Sequence, residues 1–204
     1  MNEPTAQPDA LIPIRIVSGW DRDIDTLSLF KELPHLLAAH PECIQLHNCR
    51  TADSFIEAIG LRSHVTIVIC HGYRPDFEFG WGRNTRIYPS SIPQIGALSA
   101  IVMNTCYALG PDGIQPSETT RLARGRALTG GIGVVQRIHL VWIAEKLIAA
   151  HHDPSQCLSD AKGAKRALDL MWKELALRRD SGLTDEAKLS ATWDHIWSSP
   201  EIVS

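Results

Sequence analysis

No stretch of this chain approaches the roughly 18 consecutive apolar residues that a membrane-crossing helix requires. No membrane partner is therefore expected. The first residues, Met-Asn-Glu-Pro-Thr-Ala-Gln-Pro-Asp, carry acid and proline where a signal peptide would carry basic and then apolar residues, which points to a cytoplasmic protein. Lysine and arginine are scattered rather than gathered in a stripe, and the net charge is −3, so nucleic acid is not an expected partner. No Cys-x-x-Cys pair is present, and the five cysteines are an odd number, the usage of reduced thiols rather than of a disulfide framework. Gly130, Gly131 and Gly133 are not followed by Lys-Ser/Thr, which removes the phosphate-cradling loop as a reading. Internal repeats, low-complexity segments and linkers are also lacking.

What remains is ordinary globular composition, 44% hydrophobic and 21% charged, in 204 residues, enough for one domain with a full core. Residues 1–10 read as a flexible leader and 11–204 as the domain. Ile12–Val17 reads as a first strand. Leu27, Phe30, Leu33, Leu36 and Leu37 give a helical stripe, with Asp25 as its N-cap and Pro34 as a kink. Ile44–Asn48 reads as a second strand, and Thr51 as the N-cap of a helix carrying Phe55, Ile56 and Ile59. Cys43, His47 and Cys49 share one face in that alternation. With no fourth ligand they read as small buried side chains rather than a zinc site, and no metal or cofactor is expected.

Val65–Cys70 and Ala100–Met103 are short apolar runs without polar alternation, the mark of strands buried on both faces. Between them, residues 73–93 read as a surface hairpin or flap in which Phe77, Phe79 and Trp81 alternate, and a short helix is expected around Ile95–Leu98. Ala127–Val135 reads as a fifth strand. From His139 onward the pattern is helical, with one stripe through Leu140, Ile143, Leu147 and Ile148 and another from Ala161 to Leu175. Trp142, Trp172, Trp193 and Trp197 are read as packing residues, and His64, His139, His151, His152 and His195 as surface or capping residues. Strands alternating with helices predict an α/β fold, a single domain with a mainly parallel central sheet flanked by helices.

Ligands and chemistry in open α/β sheets sit at the carboxyl ends of the strands. One apolar run stops at His71-Gly72 and the other at Asn104-Thr105-Cys106, which makes His71 and Cys106 a candidate base and nucleophile. A cysteine attacks carbonyls as its thiolate, and a neighbouring histidine favours that form. Gly72, lacking a Cβ, would let a substrate lie close to its amide, as an oxyanion hole requires. Cys70 should point away from His71 and be buried.

An apolar strand ending in His-Gly (Ile69-Cys70-His71-Gly72), followed by a second ending in x-(Ala/Ser/Thr)-Cys (Met103-Asn104-Thr105-Cys106), resembles the caspase-like cysteine peptidases. That group includes caspases, metacaspases, legumain, gingipain, separase and the bacterial CHAT domains. The histidine precedes the cysteine by 35 residues, in the order of that group, and the pattern over residues 12 to 175 looks most like its CHAT members.

The resemblance implies a bacterial cysteine endopeptidase with His71 as general base and acid, Cys106 as nucleophile and the amides of Gly72 and Cys106 as oxyanion hole. Asn104 would line the substrate pocket, with Asp21 and Asp23 standing where an acid of that pocket could arise. A protein or peptide substrate is implied, and an activating protein partner is expected. The residues after the nucleophile, Tyr107-Ala108-Leu109-Gly110, depart from the caspase and metacaspase pattern, so cleavage preference does not carry over. Two readings from other classes stand beside this one: a catalytically silent interaction module of the same fold, and a redox-sensing or nucleotide-binding α/β domain.

Overall fold

Runs of β-branched residues form the middle of the molecule. A computed structural model describes residues 11–19, 32–73, 78–81, 85–92, 97–105, 127–131, 138–153 and 193–197, with single positions between 158 and 171. Among the described residues the strands are β1 (Ile12–Gly19), β2 (Ile44–Cys49), β3 (Ser63–Ile69), β4 (His71–Tyr73), β5 (Glu78–Trp81), β6 (Thr85–Ile87), β7 (Ala97–Asn104), β8 (Ala127–Gly131) and β9 (Trp193–Trp197). The helices are α1 (Leu33–Ala39), α2 (Ala52–Gly60) and α3 (Ile138–His152), with a 3-10 turn at Pro89–Ser91.

The main sheet has the order β2-β1-β3-β7-β8-β9. Its first five strands are parallel, and β9 pairs antiparallel with β8 at the edge. A mixed α/β fold with a mainly parallel sheet is thus established. β9 departs from the expected helical C-terminal region. Its residues Trp193–Trp197 pair with Ala127–Gly131 of β8, and sheet pairing overrides local preference.

Every residue of β3 is buried, and its side chains divide by parity. Val65, Ile67 and Ile69 join Ile14 and Ile16 of β1, Val102 of β7, Leu33 of α1 and Leu140, Ile143, Ala144 and Leu147 of α3 in one core. Val68 and Cys70 join Val17, Ile101 and Met103 on the other face, with Phe55, Ala58 and Ile59 of α2. The sheet is therefore sandwiched, with α1 and α3 on one face and α2 on the other. Each fully buried aliphatic side chain contributes on the order of 1.5–3 kcal/mol through apolar area removed from water.

Thr51 caps α2 as expected. Its hydroxyl accepts from the Ser54 amide at 3.1 Å, and the Ser54 hydroxyl accepts from the Thr51 amide at 3.2 Å, closing a capping box. Thr51→Ala should cost about 1 kcal/mol, read as a lower midpoint in urea at unchanged m-value.

Four expectations are corrected. Pro34 lies in the first turn of α1, where a missing N–H costs nothing, rather than kinking a longer helix; residues 20–31, including the Asp25 cap, lie outside the described residues. Ala97 and Leu98 are strand, not helix, because β7 pairs with β3 from Ala97 opposite Ser63 onward, and sheet pairing overrides local preference. The excursion after β3 holds the expected hairpin, but it is not confined to the surface. It is the antiparallel sheet β4-β5-β6, and Phe79 (β5), Ile87 (β6) and Ile92 are buried in the α2-side core, with the Phe79 ring 6.2 Å from that of Phe55. His64 is buried on β3 rather than at the surface. The expected leader, residues 1–10, and most of the helical stripe from Ala161 lie outside the described residues. Gly163, Arg166, Ala167, Leu170 and Met171 within that stripe are helical.

Candidate active site

The strand order 2-1-3-7-8 is a doubly wound arrangement. The chain leaves β1 for β2 on one side, then returns to place β3 on the other. Such a switch opens a crevice at the carboxyl ends of the two strands on either side of it, here β1 and β3.

His71 stands at that edge. β3 ends at Ile69, Cys70 turns into the α2-side core, and His71 opens β4 as an exposed residue. Cys70 is thus buried, as expected. β3 and β7 are in parallel register with Ile69 opposite Asn104. Just past that pair, the Cys70 Sγ lies 3.7 Å from the Thr105 Oγ1, both groups buried. Sequence reading missed Thr105. A threonine after an apolar run signals a strand end, but nothing local says which strand its hydroxyl meets.

Cys106 follows Thr105 and lies outside the described residues, as do Asp21 and Asp23. Asn104 is the last residue of β7. Gly72 lies in β4 opposite Phe79, and His71 lies opposite Gly80. Gly80 is needed there for space: a Cβ would stand 2.6 Å from the Thr85 carbonyl oxygen and 2.9 Å from the Tyr73 ring.

Around His71 the small sheet builds a polar wall. The Tyr73 ring meets the imidazole edge-on at 5.9 Å, and the Arg86 guanidinium lies over the Tyr73 ring at 3.5 Å. Arg86 pairs with Glu78 at 3.5 Å and donates to the Thr85 carbonyl at 3.0 Å. Tyr73 and Arg86 were not singled out from sequence. Their proximity to His71 depends on the β4-β5-β6 register, which no local pattern reveals.

The thiols away from this edge are of another kind. Burial pushes the Cys43 thiol up to about 12, with Glu42 adding to the effect, and the Cys49 thiol up to about 11. Cys49 donates to the Ser54 carbonyl at 3.4 Å. The two do not share a face: Cys43 packs in the α1/α3 core and Cys49 in the α2-side core. Cys43 precedes β2, and a turn in which its amide donates to the His40 carbonyl at 3.0 Å takes it out of the strand alternation. His47 instead contacts Arg15, which also donates to Gln45 at 3.0 Å and to the Arg62 carbonyl at 3.2 Å. Burial and the Arg15 charge hold His47 below the usual imidazole range. In native protein at pH 8, Cys43 and Cys49 should resist alkylation and become labelled only on unfolding, as site-resolved mass spectrometry would read.

One further cluster lies towards the amino ends of the parallel strands, before β2. His40, Glu42 and His152 bring ligand-competent atoms within 4.8 Å of one another. No helix among the described residues is long and apolar enough to cross a membrane. No protein-family model and no curated protein matches the sequence.

Proposed function

We propose that this protein is a caspase-like cysteine endopeptidase that hydrolyses peptide bonds of a protein substrate through Cys106 and His71. The observation that supports the reading most is the β3/β7 register. Ile69 and Asn104 are paired across the adjacent parallel strands β3 and β7, and His71 and Cys106 each come two residues after that pair in the sequence.

In this mechanism His71 takes the Cys106 thiol proton, and the thiolate attacks the scissile carbonyl carbon. The oxyanion of the tetrahedral intermediate accepts hydrogen bonds from the amides of Gly72 and Cys106. Collapse breaks the C–N bond, with His71 returning the proton to the leaving amine. Water, deprotonated by the same imidazole, then hydrolyses the thioester and frees the thiol. Asn104 serves the substrate pocket, and Asp21 and Asp23, which follow β1 in the sequence, contribute acid to it. An activating protein partner controls the enzyme, and the site of action is the cytoplasm.

The test is cleavage of a mixed fluorogenic peptide library by wild type and by Cys106→Ala in parallel. Turnover by wild type alone, lost in the variant, is the expected outcome. Equal turnover by both would remove Cys106 from the mechanism.

A further inference from the structure

The α1–β2 turn and the end of α3 bring together three side chains that the peptidase reading does not use. His40 caps the C-terminus of α1, Glu42 lies in the turn that follows, and His152 is the last residue of α3. Their donor atoms all lie within 4.8 Å of one another, and the His40 and His152 rings are 5.4 Å apart with planes inclined at 45°. We propose that His40, Glu42 and His152 form a binding site for a divalent transition metal, zinc by its donor set, which ties the α1–β2 turn to the end of α3.

Two imidazoles and a carboxylate are a recognised zinc donor set, leaving a fourth position for water. Ligands of a tetrahedral zinc at about 2.0–2.1 Å stand roughly 3.3 Å apart. The three donors must therefore close in by about 1.5 Å at most, a side-chain rotation open to Glu42 and His152, which are exposed.

The backbones that carry them are fixed. The His40 carbonyl accepts from the amides of Cys43 at 3.0 Å and Ile44 at 3.1 Å, and both those side chains are buried. Ile148 and Ala150 anchor the last turns of α3 in the same core. Preorganised ligands on packed elements lose little freedom on binding. A helix C-terminus also carries partial negative charge, which favours a cation there. Beside the cluster, the His151 Nδ1 is buried with no hydrogen-bond partner among the described residues, and its ring lies 5.3 Å from that of His152.

The site is independent of the peptidase reading and lies at the other end of the parallel strands. Glu42 precedes β2, whose first residue pairs with Ile14 near the start of β1, whereas His71 follows the end of β3. A metal here joins two chain segments on the α1/α3 face and acts as a staple.

The experiment titrates chelator-treated full-length protein with zinc chloride against a chromophoric zinc chelator, and follows Tm. One equivalent should bind per chain, and saturating zinc should raise Tm by roughly 5–10 °C. His152→Ala and Glu42→Gln should each weaken binding at least about 100-fold, beyond the 10–100-fold typical of groups that only orient ligands. Both side chains are exposed, so the variants retain the fold. His71→Ala/Cys106→Ala should bind as wild type does. The proposal is overturned by no binding in the micromolar range, by binding that His152→Ala and Glu42→Gln leave intact, or by binding lost in the His71/Cys106 variant.

Discussion

Alanine in place of His71 should lower kcat/KM for a cleaved peptide by about 10²–10⁴-fold, the contribution of a positioned general acid–base group. The same substitution should leave Tm nearly unchanged, because an exposed side chain contributes within about 0.5 kcal/mol of stability. That split separates chemistry from folding. A second readout follows from the thiol. If His71 promotes the Cys106 thiolate, alkylation of Cys106 by iodoacetamide at neutral pH should slow in His71→Ala. Cys43, Cys49 and Cys70 are buried, so site-resolved labelling has little background from them. Unchanged kcat/KM in His71→Ala would end the reading of His71 as the base, whatever the labelling shows.

The largest loss of stability should come from Phe79→Ala. Phe79 is fully buried, although it belongs to the small sheet. Removing a buried phenylalanine ring costs about 3–5 kcal/mol, from lost transfer energy and the cavity left behind. For a chain of this length that lowers Tm by roughly 10 °C. Against a net stability of about 5–15 kcal/mol the loss is large. Tyr88→Ala, at a side chain 51% exposed on the same excursion, is the control and should cost under about 0.5 kcal/mol. The alternative, a surface flap, would make the two substitutions equally mild, and a thermal melt of each distinguishes the cases. The lesion should also reach the chemistry, because Phe79 pairs with Gly72 and the neighbouring Gly80 pairs with His71.

Some of this architecture could be read directly from residues. β3 is a continuous apolar run because both its faces are covered, and its end at Cys70-His71 is visible in the side chains themselves. The Thr51 cap is equally local, since the hydroxyl and the amide it serves are three residues apart. Elsewhere the decisive contacts are distant. Ala97 is strand because of Ser63, and Phe79 is core because of Phe55. Cys43 misled because alternation was extended through a turn that breaks it. His151 and His152 could be placed at a helix end, but the meeting of His152 with His40 and Glu42 spans more than a hundred residues. At the candidate active site the two strand ends were legible, whereas the Ile69/Asn104 register and the Tyr73–Arg86 wall depend on pairing in space.

The antiparallel pairing of β9 with β8 bears on the order in which the protein can assemble. β2, β1, β3 and β7 all lie before residue 105 and can pair as they leave the ribosome. β8 can then join β7, but its outer row of amides and carbonyls stays open until residues 193–197 have been made. An uncovered strand edge templates pairing with other chains, and non-local strand closure is slow. During that interval a nascent molecule is most exposed to aggregation along β8, and the arrival of β9 ends it.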